Sequence, residues 1–375
     1  MLSFMGRAEL PQLSERSRVI LFTCGPGDEL YAGFGHSALW ISDPVMGIDR
    51  LYNYGTFDFN TPNFYWKFTR GRLDYMLTVT TARRFIAEYD YRKISVVGQT
   101  LHLNLSERQK LFDLIEENLL PQNRFYKYDF FYDNCATRIR DIVVKAVDGT
   151  VDFNTPDENQ SFRDILFPYL TYTPWTKFGI NLILGLTSDK IATPNEYMYM
   201  PELMKEEFGN AIIHKDGTEY KLVDREQDFL KSKLVFKYNL LHDPALFFGS
   251  LFLIIGLMTF YELRSGRYYK WVDLVLNFVG VIAGLFLFFM WVGTDHSATN
   301  QNLNILWMLP AQALFITSLF LNKVLRKKLV MISFSIMVVV SIAMYVWPQA
   351  SELSFLIISL IYALRYLFHS RISKF

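Results

Sequence analysis

Apolar and polar positions follow two different rhythms along this chain. In the first part they are short. Ser17–Cys24 (SRVILFTC) predicts a β-strand, and Gly25, Pro26, Gly27 and Asp28 after it predict a turn. His36–Ser42 (HSALWIS) and Arg50–Phe57 (RLYNYGTF) predict two strands of a hairpin joined by a Pro/Gly/Asp loop. Thr78–Thr80 and Gln99–Leu105 predict further strands. Ser106 with Gln109 suggests a capping box for a helix that runs to about Leu119 and stops at Pro121. Phe125–Tyr132 is aromatic and extended. Asp133 or Asn134 then caps a second helix, which begins at Cys135 and places Ile139, Ile142, Val143, Ala146 and Val147 on one buried face. Residues 151–243 mix Pro-rich connections with short amphipathic pieces, and Phe153–Asn159 reads as a linker or lid.

After Pro244 the apolar runs lengthen. Five stretches predict membrane-spanning helices: Ala245–Leu263, Trp271–Gly293, Asn304–Leu321, Leu329–Trp347 and Leu353–Ser370. At about 1.5 Å per residue each can cross roughly 30 Å of hydrocarbon. Backbone polar groups there must be satisfied within the segment, which leaves helix as the state. The pattern therefore predicts an α+β domain followed by an all-α five-helix transmembrane domain. In residue terms this gives a leader over 1–16, a first domain over 17–150, an accessory part over 151–243 and the membrane domain over 245–370.

Charge sharpens this division. Residues 1–244 hold 28 Lys+Arg and 33 Asp+Glu, a net of −5; residues 245–375 hold 10 and 4, a net of +6. The overall +1 is thus a near-cancellation. It gives no support to nucleic-acid binding, and the apolar second half excludes a wholly soluble enzyme. All ten basic residues of the second half fall on one side of the expected spans: Arg264, Arg267 and Lys270; Lys323, Arg326, Lys327 and Lys328; Arg365, Arg371 and Lys374. The loops Thr294–Leu303 and Pro348–Glu352 have none. The positive-inside rule makes the basic side cytoplasmic, and an odd number of spans puts residues 1–244 outside. Trp271, Trp291, Trp307 and Trp347 sit at span ends, as interfacial aromatics do. Met1–Ala8 is too short for a signal peptide and reads as the tail of one, with a cleavage site near Ala8, or as a disordered lead-in.

The candidate chemistry is sparse. Two cysteines and six histidines show no metal-ligand spacing, so no metal or cofactor is expected. The glycines at 25–35 lack the Walker lysine and the dinucleotide spacing. Cys135 opens a helix, where the dipole and free N–H groups favour the thiolate and can hold an oxyanion. His36 opens a strand and can serve it as base. The alternatives are a small buried Cys135, a structural His36, or a disulfide between Cys24 and Cys135. By strand alternation a simple hairpin register puts Tyr54 or Thr56 beside His36, and a one-residue slip presents Asn53. Asn53, Tyr54 and Asn134 are the candidate orienting or oxyanion groups. The polar loop Asp295–Asn302, with Asp295 and His296, is a hydrophilic cap on two helix ends, or a contact for a lipid head group or for the catalytic domain.

The runs TCGPGDELYAGFGHSALWI, LYNYGTFDFNTPNFYWKFTRG and YKYDFFYDNCATRIRDI resemble the Lnb family of Bacteroidota, as do TPWTKFGINLILGLTSDK, YMYMPELM and the loop WVGTDHSATNQNLNILW. The resemblance covers nearly the whole chain. It implies a permuted papain-like (NlpC-like) periplasmic domain, in which a His-bearing strand precedes a Cys-bearing helix, as in the retinol acyltransferase family. It also implies a multi-pass bacterial inner-membrane protein that acts in lipoprotein N-acylation. Cys135 would be the nucleophile and His36 the base, the partners a phospholipid acyl donor and a diacylated lipoprotein acceptor. A membrane-tethered peptidase or amidase acting on cell-wall peptides, and a non-catalytic membrane scaffold, are the competing readings.

Overall fold

The computed structural model describes residues 10–29, 32–155 and 159–371. Residues 1–9 of the leader expected over 1–16, the middle of the Phe153–Asn159 linker and Lys374 lie outside them; the rest of that leader packs into the first unit, with Leu13 in its core and Ser14 bonded to Asp43. The chain forms two compact units. One runs to Asn159 and resumes over Ala192–Val235; the other comprises Gln160–Ile191 and the chain from Phe236 onward. The stretch 151–243, expected as one accessory part of the first domain, is therefore shared between the two.

The first unit is built on an antiparallel sheet. Its strands are β1 (Arg18–Cys24), β2 (His36–Asp43), β3 (Ile48–Thr56), β4 (Asp74–Thr80), β5 (Val96–Leu101) and β6 (Phe125–Lys127). β7 (Thr150–Asp152), β8 (Ile212–Lys215) and β9 (Thr218–Lys221) form a small second sheet, and β10 (Val223–Leu230) returns to the first. The large sheet has the order β10-β5-β1-β2-β3-β4-β6. β1 lies in its interior, which explains its unbroken apolar run: both of its faces are covered. Val19 and Leu21 join a core under the helices Leu105–Leu119, Cys135–Ala146 and Pro201–Asn210. Ile20, Phe22 and Cys24 point the other way, onto the helix Ala82–Tyr91.

Local chemistry sets the helix starts, with one shift from expectation. The Leu105–Leu119 helix is capped by Asn104 with Glu107 in a capping box, not by Ser106 with Gln109. Glu107 is the better reciprocal partner because a carboxylate at the third position also meets the positive helix end. The expected strand at Gln99–Leu105 correspondingly ends at Leu101. Of Phe125–Tyr132 only Phe125–Lys127 is strand; beyond it the chain folds into a loop closed by Asp129 and Asp133.

In the second unit three helices among the described residues are long and apolar enough to cross a membrane: Pro244–Ser265, Lys270–Val292 and Leu353–Arg371. The other two expected spans depart from that pattern. Asn304–Leu321 is broken into Ile305–Met308 and Pro310–Ser318. Pro310 causes the break, having no N–H to donate and a ring that displaces the carbonyl four residues back. Lys323–Ala343 is one helix, but Lys323, Arg326, Lys327 and Lys328 occupy its first turns. Gln160–Ile191 joins this unit through the packing of Phe178, Leu182 and Ile183 on its core and through polar contacts. Arg163, with no exposed surface, is gripped by Asp189 at 2.8 and 2.9 Å and by Asn181 at 2.6 Å, while Asn302 donates to the carbonyls of Leu182 and Ile183.

Candidate active site

The site forms where two paired strands separate. β2 and β3 pair from Asp43↔Ile48 as far as Leu39↔Tyr52. Beyond that, His36–Ala38 stay with β1 while Asn53–Thr56 follow β4, across a bulge between Asn53 and Thr56. Bulges beside a site re-aim side chains. Gly55 in this bulge has φ +89°, and a Cβ there would lie 4.0 Å from Cys135 Cβ. Gly35, just before His36, has φ +76°, and a Cβ would fall 2.7 Å from the Cys24 carbonyl oxygen. Glycine is required at that approach.

Cys135 reaches the opening from the first turn of its helix. Asn134 is the N-cap, with extended backbone at φ −127°, ψ −171°. Its Oδ1 accepts from Ala136 N at 2.8 Å and Thr137 N at 3.1 Å, and Thr137 Oγ1 accepts in return from Asn134 N at 2.8 Å. Its Nδ2 donates to the carbonyls of Phe130 at 2.7 Å and Tyr199 at 2.9 Å. The cap thus anchors the helix start to two other segments. Behind it Ile139, Ile142, Val143, Ala146 and Val147 are all buried in the core.

His36 hydrogen-bonds the Cys135 thiol, and the backbone N–H groups of Ser37 and Ala136 also point at the sulfur. On its other side His36 Nε2 lies 2.6 Å from Asn53 Oδ1. The amide oxygen can only accept, so Nε2 carries a proton and Nδ1 is left for the thiol. Burial pulls the His36 pKa down, but the charge of Cys135 and the hydrogen bonds from Cys135 and Asn53 outweigh it, and the net shift is upward. Burial pushes the Cys135 thiol up, but the imidazolium charge, its hydrogen bond and the two backbone N–H groups outweigh it, and the net shift is downward. Both shifts run towards a thiolate–imidazolium pair, the reactive form of a cysteine nucleophile.

The sequence was compared with known families, curated proteins and solved structures. The Lnb N-terminal periplasmic domain matches residues 12–172, and the Lnb transmembrane domain matches residues 237–374. The chain belongs to the Lnb family. No curated protein and no solved structure matches it. Lnb membership makes this a membrane protein with a periplasmic N-terminal domain and a C-terminal transmembrane domain, and points to an enzyme.

The other candidate residues of this Lnb chain fall as follows. Tyr54 is on the opposite face of β3 from Asn53, and its hydroxyl accepts from Asn118 Nδ2 at 2.9 Å. It does not orient His36; the separation of β2 from β3 lets Asn53 do so. Asn134 has both amide protons committed to carbonyls, so it positions the helix rather than donating to a substrate. Cys24 and Cys135 are both free thiols, so the alternative disulfide is not formed. Cys24 is deeply buried, and burial pushes its thiol well up despite a hydrogen bond from Tyr89. The loop bearing Asp295 and His296 packs within its own unit. Ala298 O accepts from Gly185 N at 2.9 Å and from Ser188 Oγ at 3.0 Å, and Ser297 O accepts from Thr187 Oγ1 at 2.7 Å. Sequence reasoning missed the Ser37 backbone N–H and the Tyr199 carbonyl, since main-chain groups leave no residue-type signal.

Proposed function

We propose that this chain is a lipoprotein N-acyltransferase, working through an acyl thioester on Cys135. The observation that carries this reading is the chain of contacts Cys135–His36–Asn53 at a capped helix start. It supplies a nucleophile, a proton carrier and an orienting group.

In the first half-reaction the Cys135 thiolate attacks an ester carbonyl of a phospholipid. The carbonyl π pair moves onto oxygen, and the Ser37 N–H, which faces the sulfur, is available to stabilise that charge, the Ala136 N–H being held by the Asn134 cap. As the intermediate collapses, the glycerol oxygen leaves and takes the imidazolium proton from His36. In the second half-reaction the α-amine of a diacylglyceryl-cysteine attacks the thioester. His36 accepts a proton from that amine, the amide forms, and the thiolate is regenerated with its imidazolium partner. Asn53 keeps the ring in the orientation both steps need.

The reading includes the architecture that family resemblance implies: a permuted papain-like domain, with His-bearing β2 before the Cys-bearing helix, and five membrane passes that leave the C-terminus in the cytoplasm. Two lipid-anchored substrates account for a polytopic partner domain, which confines donor and acceptor to one plane. The test is direct. Purified protein in phospholipid vesicles, given a synthetic diacylated lipopeptide, is expected to yield the N-acylated product, and Cys135→Ala is expected to yield none. Product formation by Cys135→Ala, or cleavage of cell-wall peptides in place of acyl transfer, would contradict it.

A further inference from the structure

Tyr126 lies on β6 beside the site and has no role in the steps above. Its side chain is only 8% exposed. Its hydroxyl is buried; the Gly55 backbone N–H donates to its oxygen, but its own O–H finds no acceptor among the described residues. A buried O–H without an acceptor costs about 1–3 kcal/mol, so it calls for an explanation.

The surroundings supply one. The point where a Cβ on Gly55 would sit is 4.0 Å from Tyr126 Oη and 4.0 Å from Cys135 Cβ. Hydroxyl and nucleophile therefore flank the same bare stretch of backbone, and glycine keeps that space open. The phenol ring is fixed from behind. Arg138, one turn after Cys135 on the same helix, places its guanidinium carbon 3.6 Å from the Tyr126 ring centroid. Arg138 is itself held by Asp133 through bonds of 2.5 and 2.7 Å. A cation over the ring face withdraws electron density and strengthens the O–H as a donor. Burial keeps the phenol protonated, its pKa raised despite that cation, so it is a donor and not a base.

We propose that Tyr126 is a further catalytic residue, whose hydroxyl donates a hydrogen bond to the oxyanion formed when Cys135 attacks a carbonyl. This rests on the acyl-transfer reading for its natural substrate, though not for the chemistry of carbonyl attack. The new S–C bond forms, the carbonyl π pair moves to oxygen, and Tyr126 stabilises that oxygen without giving up its proton. His36 still supplies the proton to the leaving group.

Tyr126→Phe keeps the ring and its stack on Arg138, and removes only the hydroxyl. The full-length protein and this variant are each treated with phospholipid, with a p-nitrophenyl acyl ester and with iodoacetamide, and mass on Cys135 is followed in time. Alkylation by iodoacetamide builds no oxyanion. The expected result is acylation slowed about 10²–10³-fold by either ester, as for loss of one oxyanion donor, with alkylation unchanged. Wild-type acylation rates in Tyr126→Phe, or an equal fall in alkylation, would overturn the proposal. A wild-type enzyme that reacts with the p-nitrophenyl ester and not with phospholipid would refute the lipid substrate, while the ratio of ester rates still decides the role of Tyr126. A Cys135 inert to both esters would sink both ideas.

Discussion

Replacing His36 with alanine removes the cation that faces the Cys135 thiolate. For two unit charges about 4 Å apart, at the effective dielectric of about 20 that suits such sites, the lost attraction is about 4 kcal/mol. At 1.36 kcal/mol per tenfold this raises the thiol pKa and lowers the thiolate fraction at a given pH about 10³-fold. The direction follows from the causes: burial alone pushes Cys135 up, and the imidazolium opposes it most strongly. In the wild-type protein the ion pair exists above the lowered thiol pKa and below the raised imidazole pKa. It is lost as pH falls through the first or rises through the second. The assay is the pH dependence of iodoacetamide alkylation, read as mass on the Cys135 peptide. Cys24 stays silent in the native protein, being buried with its thiol pushed well up. The wild type should alkylate readily at neutral pH. The variant's acid limb should move to higher pH, with a loss of about 10³-fold at any pH on that limb. An unchanged limb in His36→Ala would refute the ion pair and the base assigned to it.

Three further outcomes follow from the same contacts. Asn53→Ala removes a charge-assisted hydrogen bond worth about 1.5–3 kcal/mol that holds the His36 pKa up, so that pKa should fall. The alkaline limb of ester-dependent Cys135 acylation should move to lower pH, while Asn53→Asp should move it to higher pH. Asn134→Ala removes a cap worth about 0.5–2 kcal/mol and takes a donor from the carbonyls of Phe130 and Tyr199, the buried one costing about 1–3 kcal/mol more; thermal unfolding of the detergent-purified chain should show a markedly lower midpoint. In the second unit Arg365 is buried among Asp273, at 2.7 Å through both Nε and Nη2, Thr259 at 2.8 Å and Glu262. Arg365→Leu strands two buried carboxylates and should cost about 3–5 kcal/mol, read as lower thermal stability and loss of folded protein on extraction.

The parts of the site that could be read from sequence are those fixed by local chemistry. Asp133 and Asn134 before an apolar 3.6-residue period announced a capped helix at Cys135, without deciding which of them caps it, and Gly35 before alternating residues announced the strand of His36. The orienting group could not be resolved that way. Tyr54, Thr56 and Asn53 all depended on hairpin register, and the register stops at Leu39↔Tyr52, where β3 leaves β2 and bulges at Gly55. Long-range pairing was equally hidden. β10 closes on β5 from over a hundred residues away, and its polar sequence VDREQDFL suits the edge strand it becomes. Residues 160–191 looked like more of the first domain because the apolar residues that attach them, Phe178, Leu182 and Ile183, sit in one short amphipathic piece among others. Arg163, Asp189 and Asn181 bond to one another within that segment, while Asn302 ties it to the helices through the carbonyls of Leu182 and Ile183. Length and hydropathy identified the membrane half but not the break at Pro310, which interrupts an apolar run without altering its composition.

The central claim is that an acyl chain passes through the Cys135 sulfur. The measurement closest to it is intact and peptide mass spectrometry of the purified protein after incubation with phospholipid carrying an isotopically labelled acyl chain, with no acceptor present. The account predicts the labelled acyl mass on the Cys135 peptide, released by neutral hydroxylamine as a thioester and absent from Cys135→Ser. Labelled acyl groups on another residue, or none on Cys135 while lipopeptide is still N-acylated, would contradict it.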